Sequence, residues 1–144
     1  MARTLAYSRY RGRLVLLAHA RVNPSAAEWS AYFRDLRRWR AELGGILVRS
    51  DGGGPNALQR GEMTDAIEAE RTTVRTAVVT VSRVARGIVT ALSWINAQIK
   101  AFSPLQQDAA LSYLGVTDDE RAEVLAELER LRALLGAEAA SERI

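Results

Sequence analysis

Two rhythms run along this chain: short unbroken apolar runs, and longer stretches in which apolar residues recur every three or four positions. Leu14-Val15-Leu16-Leu17 and Ile46-Leu47-Val48 are of the first kind, and unbroken runs suit strands covered on both faces. The first lies in a strand predicted over residues 13–20, preceded by a short edge strand over 4–7 and a turn at Tyr10-Arg11-Gly12. Residues 74–81, rich in β-branched side chains, predict another strand. A last, short one is predicted over 98–103, where Ile99 and Ala101 alternate with Lys100 and Phe102.

The helical rhythm begins after Asn23-Pro24-Ser25. Pro24 fits a first turn, and Ser25 with Glu28 forms a capping box. Trp29, Tyr32, Phe33, Leu36, Trp39 and Leu43 then make one apolar stripe, with Arg34, Arg37 and Arg38 off it, until Gly44-Gly45 stops the helix. A second helix is predicted from Asn56, paired with Gln59, to about residue 70; its stripe of Met63, Ala66 and Ile67 is thin, so it is the helix least committed to a core. Ser82 caps a third, with Val84, Ile88, Ala91, Leu92 and Ile95 predicted to face inward; Trp94 beside them is read as core, with a partner surface as the alternative. Pro104 opens a short helix that Gly115 ends. Thr117 and Glu120 box the start of the last, carried by Val124, Leu125, Leu128, Leu131 and Leu135. Residues 137–144 lack periodicity and are expected to fray. Strands alternating with helices predict one α/β domain over residues 1–136: a mostly parallel sheet of four to five strands with helices packed on it.

Composition changes this picture little. The 144 residues are 48% apolar and 26% charged, ordinary for a globular domain. Cysteine is absent and His19 is the single histidine, so thiolate and histidine metal sites and Ser-His-Asp chemistry have too few residues to build on. His19 is expected near a strand end, its ring satisfied locally. Carboxylates form no forced pair, so neither a general acid/base pair nor a metal site is proposed, and no cofactor is expected. Net charge is +3, dispersed over nineteen arginines and Lys100; that argues against nucleic acid. No segment approaches the ~20 apolar residues of a membrane span, and no signal peptide is evident, so a cytoplasmic location is expected.

The stretch Arg49-Ser50-Asp51-Gly52-Gly53-Gly54-Pro55-Asn56 carries the strongest local signal. It reads as strand, glycine turn and helix start, a geometry that presents backbone N–H groups at a sheet edge. It matches neither a phosphate-loop nor a dinucleotide fingerprint. In a parallel sheet the same edge gathers Asn23, Ser25, Arg60, Ser82, Arg83 and Arg86, a set suited to a small anion such as a phosphate, nucleotide or carboxylate. The glycine run is expected to be a flexible joint at which a bulky residue in place of Gly53 leaves stability nearly unchanged.

The order strand, strand, helix, then repeating strand–helix units resembles the STAS domain of sporulation anti-sigma-factor antagonists and sulfate transporters, and the related SpoIIAA-like proteins. The glycine loop before the second helix, Ile99-Lys100-Ala101-Phe102, and the helix Ala109-Ala110-Leu111-Ser112-Tyr113-Leu114 carry the likeness over residues 4–115. The resemblance implies a non-catalytic regulatory module that meets a protein partner, such as a kinase-like regulator or a second copy, through the loop and second helix. In antagonists a serine in an Asp-Ser-Xaa-Gly loop is phosphorylated. Here the order is Arg49-Ser50-Asp51-Gly52, inverted, which leaves Ser50 as the nearest hydroxyl and the candidate phosphosite. The alternative is a binding protein for a small anionic ligand, using the glycine loop and nearby arginines.

Overall fold

The computed structural model describes residues 3–70, 74–94 and 96–142, with side chains left out at 67–70 and 136–142. Strand β1 (Leu5–Tyr10) runs antiparallel to β2 (Leu14–His19). The turn between them takes two left-handed residues, Arg11 and Gly12. Strands β3 (Gly45–Ser50), β4 (Thr76–Thr80) and β5 (Ile99–Phe102) then add in parallel, in the order β1-β2-β3-β4-β5. The sheet is thus five-stranded and mostly parallel, as the sequence pattern predicts.

A sequential parallel order has a consequence for the helices. Right-handed crossovers that always step the same way put every connecting helix on one face. Helices α1 (Ala26–Trp39), α2 (Ala57–Glu70) and α3 (Arg83–Ser93) share that face. Helices α4 (Gln107–Tyr113) and α5 (Asp118–Glu142) cover the other. Strand alternation divides the core accordingly. Leu14, Leu16, Leu47 and Val79 pack with Leu111, Val124, Leu128 and Leu131 under α4 and α5. Val15, Leu17, Ile46, Val48, Val78 and Ile99 face Trp29, Tyr32 and Val89.

The caps fall where the sequence puts them. Ser25 and Glu28 bond reciprocally at the start of α1, as do Asn56 and Gln59 at α2 and Thr117 and Glu120 at α5. Glu120 does more than cap. It pairs with Arg13 on the β1–β2 hairpin, and the hydrogen bonds from Arg13 and Thr117 hold its carboxyl down at about 2. Tyr10 bonds Glu123 and Ser8 bonds Glu127, so the N-terminal part of α5 is fastened to the first hairpin.

Three expectations need correction. Helix α3 carries apolar residues on more than one side, and packing uses Val89 and Leu92; Val84 is 75% exposed and Ala91 is also exposed. Trp94, read as core, is 83% exposed. Helix α5 continues through Gly136 to Glu142, where the chain was expected to leave its last element. The side chain of Ile67 and all of Ile95 lie outside the described residues.

Candidate functional site

Between the sheet and α1, α2 and α3 lies a partly open cavity of about 260 Å³, a little below the range of ~300–1,000 Å³ that is usual for small-molecule sites. Its floor is Leu17, Val48, Val78 and Ile99 of the sheet; Tyr32, Phe33 and Leu36 of α1, Met63 of α2 and Val89 and Leu92 of α3 form the walls. The hollow follows from composition. The aromatic stripe of α1 is wide, and among the described side chains of α2 Met63 is the one in this core cluster.

One end of the cavity is polar. His19 ends β2, only 3% exposed, and stacks on Trp29 at 6.5 Å between ring centroids. His19 Nδ1 and Trp29 Nε1 are buried, and neither has a hydrogen-bond partner within the protein. The expectation that the histidine ring is satisfied locally therefore fails at Nδ1. Burial lowers the His19 pKa to about 4, only partly opposed by the Glu28 carboxylate, so the ring is neutral at neutral pH.

The glycine loop borders the same end, but its chemistry differs from the expected one. Ser50 is 2% exposed; its hydroxyl donates to Gly53 O at 2.5 Å and accepts from Gly52 N at 3.0 Å. Asp51 N donates to His19 O at 3.1 Å, and Gly53 N to Ala20 O at 2.8 Å. The loop is sewn to the end of β2, with its amides at Gly52 and Gly53 already bonded, so they are not presented to an anion. A Cβ on Gly53 would lie 2.6 Å from Ala20 O and closer still to Val22 O, which forbids the bulky replacement expected to be harmless. A phosphoryl group on Ser50 would require this loop to open.

The sequence-derived set is divided among several places. Ser50, Gly52, Gly53, Gly54, Arg60 and Asn23 line the cavity, and Arg60 donates to Pro55 O at 2.8 Å. Arg49 alternates to the α5 face, where burial and then Arg132 lower its pKa, and Asp51 pairs there with Arg132 at 3.4 Å. Asn56 and Ser82 are caps, the latter accepting from Ala85 N at 3.1 Å. Arg83 is exposed and Arg86 half-buried, and neither lines the cavity. Sequence reasoning missed the pairing of His19 with Trp29 and the cavity beside them. The available signal was the thin stripe of α2 opposite the aromatic stripe of α1.

Among the described residues no three side chains are grouped to hold a metal ion, and no helix is long and apolar enough to cross a membrane. Comparison with known proteins finds no matching family model, no matching curated protein and no matching solved structure.

Proposed function

We propose that the chain is a non-catalytic binding domain whose cavity takes a small molecule with an apolar body and an acidic group directed to Arg60 beside the glycine loop. The cavity between the sheet and α1–α3 is the observation that carries this reading: a hollow walled by apolar side chains, with polar groups at one end, is the usual form of a small-molecule site. Calorimetric titration with aliphatic and aromatic monocarboxylates tests it. Saturable 1:1 binding, lost when the cavity is filled by Met63→Trp, is the expected result. No heat of binding across the series at millimolar ligand would overturn it.

The element order favours a second reading, a cytoplasmic interaction module of the STAS kind. Two strands followed by alternating helices and strands agree with that resemblance, and α2, thinly anchored with Leu58 exposed, is the element free to meet a partner. The partner would be a kinase-like regulator or a second copy of the chain. Leu58→Glu combined with Arg60→Glu should abolish association, read by light scattering and by pull-down. Retention of every partner by that variant would defeat this reading.

A further inference from the structure

Helix α3 has a second apolar side that the sheet does not use. Val89 and Leu92 hold the helix to the core. At about 100° per residue, Val84, Gly87, Ala91 and the C-cap Trp94 fall within roughly 80° of arc on the outer side, with Ile88 at one border. All five are exposed, Val84 by 75% and Trp94 by 83%, and a Cβ on Gly87 would meet nothing within 4 Å. Arg83 and Arg86 adjoin the other border of this band, and no carboxylate occurs between Ser82 and Trp94. Arg9, Arg11 and Arg13 of the first hairpin each pair with a glutamate, whereas among the described residues Arg83 and Arg86 have no carboxylate partner. The face is a convex apolar ridge edged with uncompensated positive charge.

We propose that this face docks on an anionic lipid surface, α3 lying along the headgroups with Val84, Ile88 and Trp94 toward the acyl chains and Arg83 and Arg86 at the lipid phosphates. An apolar band with a tryptophan at its edge and cations beside it is what a helix lying in a membrane interface presents. Anionic headgroups complement two unpaired guanidiniums. A second copy of the chain does not, because its own α3 brings the same two arginines and no carboxylate. A protein groove would need a shape matched to a convex ridge, and a bilayer needs none. The helix is already folded and fixed to the sheet, so docking costs no ordering of its backbone. The inference does not depend on what the cavity binds.

Co-sedimentation of the whole chain with vesicles of phosphatidylcholine alone, and of phosphatidylcholine with phosphatidylserine, makes the test. Two arginines at about fivefold each should favour the anionic vesicles by on the order of 25-fold at low salt, and less as salt is raised. Trp94 emission should shift to the blue on binding, and the shift should vanish in Trp94→Phe, which keeps Trp29 and Trp39. Arg83→Glu combined with Arg86→Glu should abolish the preference at an unchanged melting temperature, which separates lost docking from lost folding. Equal partition onto the two vesicles would overturn the assignment. So would anionic binding with Trp94 emission unmoved, which would place the contact on another face. Absence of sedimentation with either vesicle would overturn the lipid surface as well. In that event a lipid-free dimer dissolved by Trp94→Ser would assign the face to a second copy, and a monomer would leave an acidic protein groove as its occupant.

Discussion

The carboxylate of Glu28 accepts from both the backbone N–H and the hydroxyl of Thr4, at 2.9 and 2.6 Å, while it also closes the capping box with Ser25. One side chain therefore ties the first turn of α1 to the start of β1. Burial would raise its pKa, but these hydrogen bonds outweigh burial and hold it at about 2.

Glu28→Gln keeps the shape and removes the charge. It should cost about 1.5–3 kcal/mol, the scale of hydrogen bonds to a charged group, read as a lower denaturant midpoint at unchanged m-value. The folded pKa is depressed, so this stability is present above pH ~4.5 and is lost as pH falls toward 2. The variant's stability curve should be flatter across that window. An unchanged acid limb would refute the role given to Glu28.

His19 acts in a higher window. Its folded pKa of about 4 lies below the ordinary 6.5, so above pH 6.5 neither folded nor unfolded state takes the proton. Between 6.5 and 4 the unfolded chain binds a proton that the folded chain refuses. As pH is lowered through that interval, stability should therefore decrease, by at most ~1.4 kcal/mol per unit. His19→Phe should remove this slope and leave the Glu28 limb below pH 4.5, which separates the two groups in one pH titration of urea unfolding.

Neighbouring glycines should differ sharply. Gly53→Ala forces a methyl group against the carbonyl oxygens of Ala20 and Val22, whereas a Cβ on Gly54 meets nothing within 4 Å. The first should lower stability by more than ~3 kcal/mol, at the upper end of single-substitution effects, and the second by less than ~0.5 kcal/mol. Thermal melts of the two variants side by side check this. Equal melting temperatures would refute the close approach of Gly53 to the carbonyls of Ala20 and Val22.

Helix α3 offers a test of which stripe is buried. Val89→Ala removes a buried side chain from between the helix and the sheet and should cost about 1–3 kcal/mol. Val84→Ala, on the exposed stripe, should stay within about 0.5 kcal/mol. Denaturant unfolding of both variants gives the comparison.

That pair also shows where the sequence was legible and where it was not. Caps are local chemistry: Ser25 with Glu28, Asn56 with Gln59 and Thr117 with Glu120 need no tertiary contact to form, and each marks its helix start. Strand existence was equally plain from runs such as Leu14–Leu17. The inward face of α3 was not, because apolar residues lie on more than one side of the helix, Val84 and Val89 being five positions apart and so about 140° apart around it, and only the sheet beneath decides between them. Arg49 shows the same limit. A strand of continuous apolar residues gives no alternation to show that residue 49 turns away from 48 and 50, so one loop was read as one site when it feeds two faces. The cavity was least legible of all, since a hollow is set by how far whole elements stand apart.

The hollow beneath α1–α3 has a mechanical consequence: it is volume that disappears when the chain unfolds. Hydrostatic force favours whichever state occupies less volume. Pressure should therefore favour the unfolded chain, and a guest occupying the hollow should raise the pressure that the fold withstands.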